Sequence, residues 1–453
     1  METSNQRHPV DEMLPPGKLF TYGLQHVLAM YAGAVAVPLI VAHGLGLSKD
    51  QLIYLINADL FTCGIATLIQ TIGIWKMGIR IPIIQGVTFA AVTPMILIGQ
   101  KHGITAIYGS IIAAGIVTFL LSPYFSRLLR FFPPVVTGAI ITIIGVTLMP
   151  VAVRWAGGGD PGAPDFASAA HILLALITLS LVVFVYRYFT GFLSNIAVLL
   201  GLIAGTLIAI PFGMVNFSQL STAGWVGVTT PFAFGLPTFD LAAIAAMVLV
   251  MLVTMSETTG DCIAVGEIIG RPVTQEALTR GLRADGFSTV LGGILNSFPY
   301  TAFAQNVGLV GLTRVKSRFV VAAAGVILVA LGLFPKMAAI IAAIPTPVLG
   351  GAGIAMFGMV AASGIKTLGK VQFEGTHNIM VIAISLGAGM VTLAVPTFYQ
   401  QFPGWAQIIL NSGITAGSGA AIILNALLNE TRRAIPVARG AASDAAPVKR
   451  STD

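Results

Sequence analysis

The chain has 453 residues, 56% of them hydrophobic and only 9% charged, with a mean hydropathy of +0.90 and a net charge of +7. A soluble globular protein carries about 25% charged residues, so a water-exposed domain is excluded for most of the chain. The positive balance does not point to nucleic acid, because the basic residues gather on one side of the apolar runs rather than on one patch.

The first residues, Met1 to Pro16, are polar and lack the pattern of a cleavable signal. Apolar stretches of roughly 20 residues, the length that crosses a bilayer, then recur from Leu19 to Leu428. About fourteen spans are predicted. Those of a first half, 19–213, lie near 19–43, 52–74, 81–100, 103–122, 132–153, 167–186 and 193–213. Those of a second half, 241–428, lie near 241–267, 285–297, 301–313, 318–334, 337–363, 376–397 and 405–428. A cytoplasmic tail fills 1–18, a connecting loop 214–240, and an Ala-, Ser- and basic-rich end over 429–453 reads as a disordered cytoplasmic tail.

With the N-terminus inside, only Lys49, Lys101, Arg154 and Lys336 of the 24 Lys and Arg residues fall outside. This is the positive-inside pattern, and it makes both termini cytoplasmic. An odd number of spans per half gives the halves opposite orientations, the geometry of an inverted repeat. The fold class that follows is an all-α polytopic membrane protein. Cys63 and Cys262 fall inside spans and suit small apolar packing rather than a disulfide or a metal pair.

Two spans are interrupted. The third opens on Arg80-Ile81-Pro82-Ile83-Ile84-Gln85-Gly86-Val87-Thr88-Phe89, broken by Pro and Gly. Before the tenth, Asn296 and Pro299 break the apolar run, Tyr300 to Ala304 reads as extended chain, and helix is expected to resume near Asn306. Irregular backbone in hydrocarbon is tolerated only where protein buries it or it lines a water-filled cavity, and discontinuous spans mark transporter binding sites. Gln305 offers an amide able to pair with the edge of a flat ring. Asn306 is placed where free helical N–H groups favour an anion or a carbonyl oxygen. Thr88 and Phe89 are expected to face them from the other half, with Phe89 able to stack on a ring.

Acids inside spans are the second signal, because each is costly unless partnered or solvated. Glu257 and Asp261 are four apart and share one helical face. Two acids so close favour one shared proton, which suits proton coupling. Asp285 is placed at the start of the ninth span, where it fits a helix N-cap, a proton relay or both. His26, in Gln25-His26, fits either transport support or an interhelical hydrogen bond that fixes the first span. Asp59 and Glu267 read as structural or interfacial, His377 as interfacial, and Arg314, Lys316 and Arg318 as markers of the cytoplasmic end of the tenth span.

These residues resemble a known family. Gln305-Asn306-Val307-Gly308, four further residues and then Thr313-Arg314 is similar to the signature of the nucleobase–ascorbate transporters: Gln or Glu, Asn, any residue, Gly, four of any kind, Thr, and Arg, Lys or Gly. Gln25-His26, Glu257 with Thr259-Gly260-Asp261, and Ala284-Asp285-Gly286 also look like that family's motifs, in the same order, and the resemblance covers residues 15–430. The segments Gly23 to Gly33 and Gly350-Gly351-Ala352-Gly353 look most like the bacterial urate/xanthine permease branch.

The resemblance implies a proton-coupled symporter in a bacterial inner membrane, working as a homodimer and without cofactor or metal. A core domain of spans 1–4 and 8–11 would move against a gate domain of spans 5–7 and 12–14. Short antiparallel strands in spans 3 and 10 would meet at the substrate. Glu257 and Gln305 would bind a purine, backbone near Phe89 and Ala304 would help, and Asp285 and His26 would support transport. Asp261 looks like the xanthine members and Thr88 like the urate members, so the mixed pattern implies recognition of both. The rivals are a uracil or inorganic-anion carrier of the same architecture, a passive channel, and a polytopic membrane enzyme needing an acidic metal cluster, for which only Glu257 and Asp261 offer themselves.

Overall fold

A computed structural model of the protein describes residues 8–430 apart from Gly375. Residues 1–7 of the N-terminal tail, and the expected disordered tail from position 431 onward, lie outside the described residues. In chain order come α1 (Pro16–Gly44), α2 (Lys49–Ile72), β1 (Gln85–Val87), α3 (Val92–His102), α4 (Ile104–Leu121), α5 (Pro134–Ala156), α6 (Ala169–Tyr188) and α7 (Ala197–Ala209). After the connecting loop follow α8 (Leu241–Ile269), α9 (Gln275–Ile294), β2 (Tyr300–Ala302), α10 (Ala304–Thr313), α11 (Arg318–Gly332), α12 (Thr346–Leu368), α13 (Asn378–Ala394) and α14 (Gly413–Asn425).

Among the described residues, seven helices are each long and apolar enough to cross a membrane, or up to nine if two pairs bent by 80° each count as one span. The pairs are Arg318–Gly332 with Pro335–Ala342, and Gly404–Leu410 with Gly413–Asn429. The short helix Pro335–Ala342 takes up the start of the stretch expected over 337–363, and α12 begins only at Thr346.

Local chemistry sets the helix ends. Ser48 and Gln51 close a reciprocal capping box at the start of α2. Asp240 accepts from Ala243 N at 2.8 Å to open α8, and Thr274 opens α9. That last cap corrects the sequence reading. The ninth helix starts ten residues before Asp285, so Asp285 is no N-cap but a fully buried mid-helix residue. Arg280 and Arg283, which precede the ninth span expected over 285–297, sit within the helix, and Arg283 stacks over Phe119 at 5.8 Å.

The packing repeats itself with a shift of seven helices. α2 lies mainly on α11, as α9 lies on α4; α1 touches α11, as α8 touches α4. α6 packs on α7 and α12, as α13 packs on α14 and α5, while α5 and α12 pack on each other. The first set of contacts joins helices 1, 2, 4, 8, 9 and 11, and the second joins helices 5, 6, 7, 12, 13 and 14.

The same device closes both related contacts. A Cβ added to Gly64 would lie 2.5 Å from Gly325 O, and one added to Gly286 would lie 2.9 Å from Gly115 O. Small residues let helix backbones approach where lipid offers no hydrophobic drive.

On the face assigned to the cytoplasm, Val10 is fully buried and Asp11 receives Arg318 Nε at 2.6 Å. Arg318 also donates to Thr71 O at 2.8 Å, and Lys316 donates to Ile269 O at 3.3 Å. These basic residues therefore tie helix ends together.

Gly64→Leu and Gly286→Leu should each destabilise the protein by about 1–3 kcal/mol or more through overpacking. Gly387→Ala, where an added Cβ meets nothing within 4 Å, should stay within about 0.5 kcal/mol. Thermal unfolding of the detergent-purified variants checks both.

Candidate functional site

The two interrupted segments cross as an antiparallel pair, with Gln85 opposite Ala302, Gly86 opposite Thr301 and Val87 opposite Tyr300. Flanking bonds lengthen the ladder: Thr88 N donates to Pro299 O at 3.0 Å and Phe303 N to Ile84 O at 3.1 Å. Asn296 adopts a positive φ of 63° that turns the chain out of α9, a conformation Asn tolerates. Gly86 is required by a close approach, since a Cβ there would lie 2.3 Å from the Phe303 ring.

Two half-helices leave the crossing. Thr88 is 1% exposed and its hydroxyl accepts from Ala90 N, capping the short turn Phe89–Ala91 that leads into α3. On the other side α10 begins at Ala304, two residues earlier than the sequence suggested, with no side chain capping it. Ala304 and Gln305 thus occupy its first turn and are exposed. An uncapped helix start presents free N–H groups and the positive end of the dipole.

Asn306 points elsewhere. It is 1% exposed, and its Nδ2 lies 3.0 Å from His26 Nδ1 and donates to His26 O at 2.9 Å. His26 is itself 2% exposed, so the pair fastens α10 to α1.

α8 is fastened to β2 next to Glu257. Thr258 Oγ1 accepts from Ala302 N at 3.1 Å and lies 3.2 Å from Thr301 Oγ1. Glu257 itself is half-buried, and neither it nor Gln305 has a side-chain hydrogen bond among the described residues. Ser256 and Glu257 face Thr137 and Ile140 of α5 across a cleft of about 10 Å³. Phe89 is half-buried and meets Phe357 of α12 edge-on, with ring centroids 6.0 Å apart. Glu257 and Phe89 therefore stand where the two helix groups touch.

Behind Glu257 lies an acid cluster that sequence reasoning caught only in part. Asp261 and Asp285 both interact electrostatically with Glu257. Among the described residues, no Lys or Arg forms an ion pair with any of the three. Asp285 Oδ1 accepts from Gln70 Nε2 at 3.0 Å, Gln70 also binds Gly281 O and Ile79 N, and Thr258 and Gln85 stand beside the same carboxyl. One carboxyl oxygen of Asp261 and one of Asp285 remain buried and unpartnered.

Gln70, Gln85 and Thr258 were missed as site residues. Gln70 and Gln85 carried a usable signal, as amides inside apolar or interrupted spans. Asp59 is fully buried and accepts from Ser297 Oγ at 3.0 Å and Tyr300 Oη at 3.2 Å, which anchors β2 to α2.

The profile of a family described as "Permease family" matches residues 17–398. The chain is 47% identical over 413 residues to the xanthine permease of Bacillus subtilis, spanning 91% of this chain and 94% of that protein. It is 46% identical over 449 residues to the uric acid transporter UacT of Escherichia coli, spanning 98% of this chain and 93% of that one. Among solved structures, the transmembrane domain of a cyanobacterium bicarbonate transporter, BicA, matches with a TM-score of 0.61 at 16% identity, over 90% of this chain and 97% of that chain. Murine Solute Carrier 26 family member A9, an anion transporter in the inward-facing state, matches with a TM-score of 0.60 at 12% identity, over 92% and 69% of the two chains. These two structures share the fold with this chain.

Thr258→Val removes the hydroxyl that joins α8 to β2 and leaves Ala302 N–H buried without a partner. A loss of about 1–3 kcal/mol is expected, read as a lower melting temperature of the detergent-solubilised protein.

Proposed function

The chain belongs to this permease family, the nucleobase–ascorbate transporters, and on that premise we propose that it imports oxidised purines, urate and xanthine, together with protons. The observation that supports this reading is the placement of two unspent polar groups, the Glu257 carboxyl on α8 and the Gln305 amide in the first turn of α10, the helix that follows the strand Thr258 fastens to α8. The relatives named for xanthine and uric acid supply the ring chemistry. An amide and a carboxylic acid together offer the donors and acceptors that line the edge of such a ring. The protein acts as a carrier and not as an enzyme, and protons rather than a metal or cofactor serve as its coupling partner.

In this reading Glu257 and Gln305 hold the purine, backbone N–H groups near Phe89 and Ala304 meet its oxygens, and the Phe89 ring covers its face. Thr88 acts through the backbone it caps, and Asp261 adjusts the charge around Glu257. Asp285 or Glu257 carries the proton, and the His26–Asn306 pair supports transport by holding α10 in place. The cleft beside Glu257, about 10 Å³, has room for no more than a water, so α5 must move off α8 to admit a bicyclic ring. Helices 1–4 and 8–11 then form the moving core, and helices 5–7 and 12–14 the gate.

About fourteen crossings in a bacterial inner membrane, with both termini cytoplasmic, accord with the basic residues of the connecting segments. A homodimer accords with α6, of which only 22% is buried over its most apolar stretch.

Glu257→Gln should abolish urate and xanthine accumulation driven by a pH gradient in proteoliposomes; undiminished uptake sinks its assigned role. Gln305→Glu should weaken purine binding by about tenfold or more, measured by competition among labelled urate, xanthine, hypoxanthine and uracil.

A further inference from the structure

A second cavity, of about 510 Å³, opens at the ends of helices in the other packing group, where α5 begins, α12 gives way to α13 and α14 ends. Arg130, Lys370 and His377 line it, and among the described residues none of those lining it is acidic. Among the described residues, none of these three cationic or ionisable side chains has an ion pair or a side-chain hydrogen bond. Arg130 lies over the Phe131 ring at 4.6 Å, which limits the directions its guanidinium takes. Glu374, in the same loop, is exposed and does not line the cavity.

The wall also holds an unspent donor. Asn425 is 1% exposed, yet its Nδ2 has no partner. Asn429 Nδ2 donates to Asn425 Oδ1 at 3.0 Å and to Asn378 Oδ1 at 2.9 Å. The first of those bonds occupies the oxygen end of the Asn425 amide and leaves its buried N–H groups, in the cavity wall, without an acceptor among the described residues. A buried donor left unmade is costly. Beside it stands the start of α13, a 17-residue helix whose N-cap residue His377 makes no side-chain cap, although Thr376 Oγ1 accepts from Asn378 N at 3.5 Å; helix starts favour anions.

We propose that this cavity binds a phosphate-bearing anion on the cytoplasmic side. Among the described residues the wall supplies Arg130, Lys370, His377 and the Asn425 amide, and no carboxylate. A tetrahedral dianion with several acceptor oxygens answers all of them, and the guanidinium fork matches it in particular. The volume falls within the range of small-ligand sites, so a free phosphorylated metabolite and a lipid headgroup both carry the required group. Bound there, the anion links the ends of α5, α13 and α14 to the loop after α12, so binding stabilises the fold.

The test uses the full-length protein in nanodiscs. Inorganic phosphate is titrated in phosphatidylcholine nanodiscs, with chloride at matched ionic strength as the control, and melting is followed. In parallel, melting is measured without phosphate in nanodiscs containing phosphatidylglycerol. Saturable stabilisation by phosphate assigns the site to a soluble ligand; stabilisation by phosphatidylglycerol alone assigns it to a lipid headgroup. In either case Arg130→Gln and Lys370→Gln, both at exposed positions, should weaken the response by about tenfold. Asn425→Leu should weaken it too. No response in either arm, a response equalled by chloride, or one unchanged in Arg130→Gln and Lys370→Gln would overturn the proposal.

Discussion

An extended backbone inside a bilayer finds no water for its N–H and C=O groups, and each unsatisfied group costs several kcal/mol. In this chain the two broken segments answer that cost with each other, through the ladder from Ile84–Thr88 to Pro299–Phe303. What the ladder leaves over is taken up by side chains: Thr67 and Cys63 bind the backbone of Gln85, Thr289 binds Tyr300 N, and Thr258 binds Ala302 N. The polar residues of α2, α8 and α9 follow from this need. So does the arrangement of the site, because an antiparallel crossing brings the starts of two half-helices to one place.

The packing is two-fold, but the chemistry is not. Gly64 with Gly325 and Gly115 with Gly286 do the same work in related contacts. The acids break the relation. On α2, Asp59 is occupied by the hydroxyls of Ser297 and Tyr300 and serves to hold a strand. On α8, Glu257 has no such partner among the described residues. A satisfied carboxylate rigidifies, whereas an unsatisfied one at a boundary between packing groups is available to a ligand or a proton.

Much of the membrane architecture was legible along the chain, since hydrophobic runs, the side preference of Lys and Arg, and Pro or Gly interruptions are local features. The breaks at Pro82–Gly86 and Asn296–Pro299 were visible for that reason, and so was the unusual siting of Glu257. Helix starts were less legible. Arg280 and Arg283 fell before the expected ninth span because a charged residue near a membrane surface looks the same in sequence whether it sits on a helix or beside one. Asp285 was accordingly read as a cap, and α9 was shortened at its start.

Sequence by itself thus determined the class, the two interrupted spans and the residues worth examining, because composition and periodicity record how each short segment meets lipid. Only the tertiary structure decided which polar groups are spent and which remain free. Asn306 is committed to His26, and Thr88 to its own turn, while Glu257 and Gln305 stay open. Gln70, an amide in an apolar span, is committed to Asp285. Hydrogen-bond partners hundreds of residues apart leave no local trace, and in a bilayer those distant partners are what settle the fate of each polar atom.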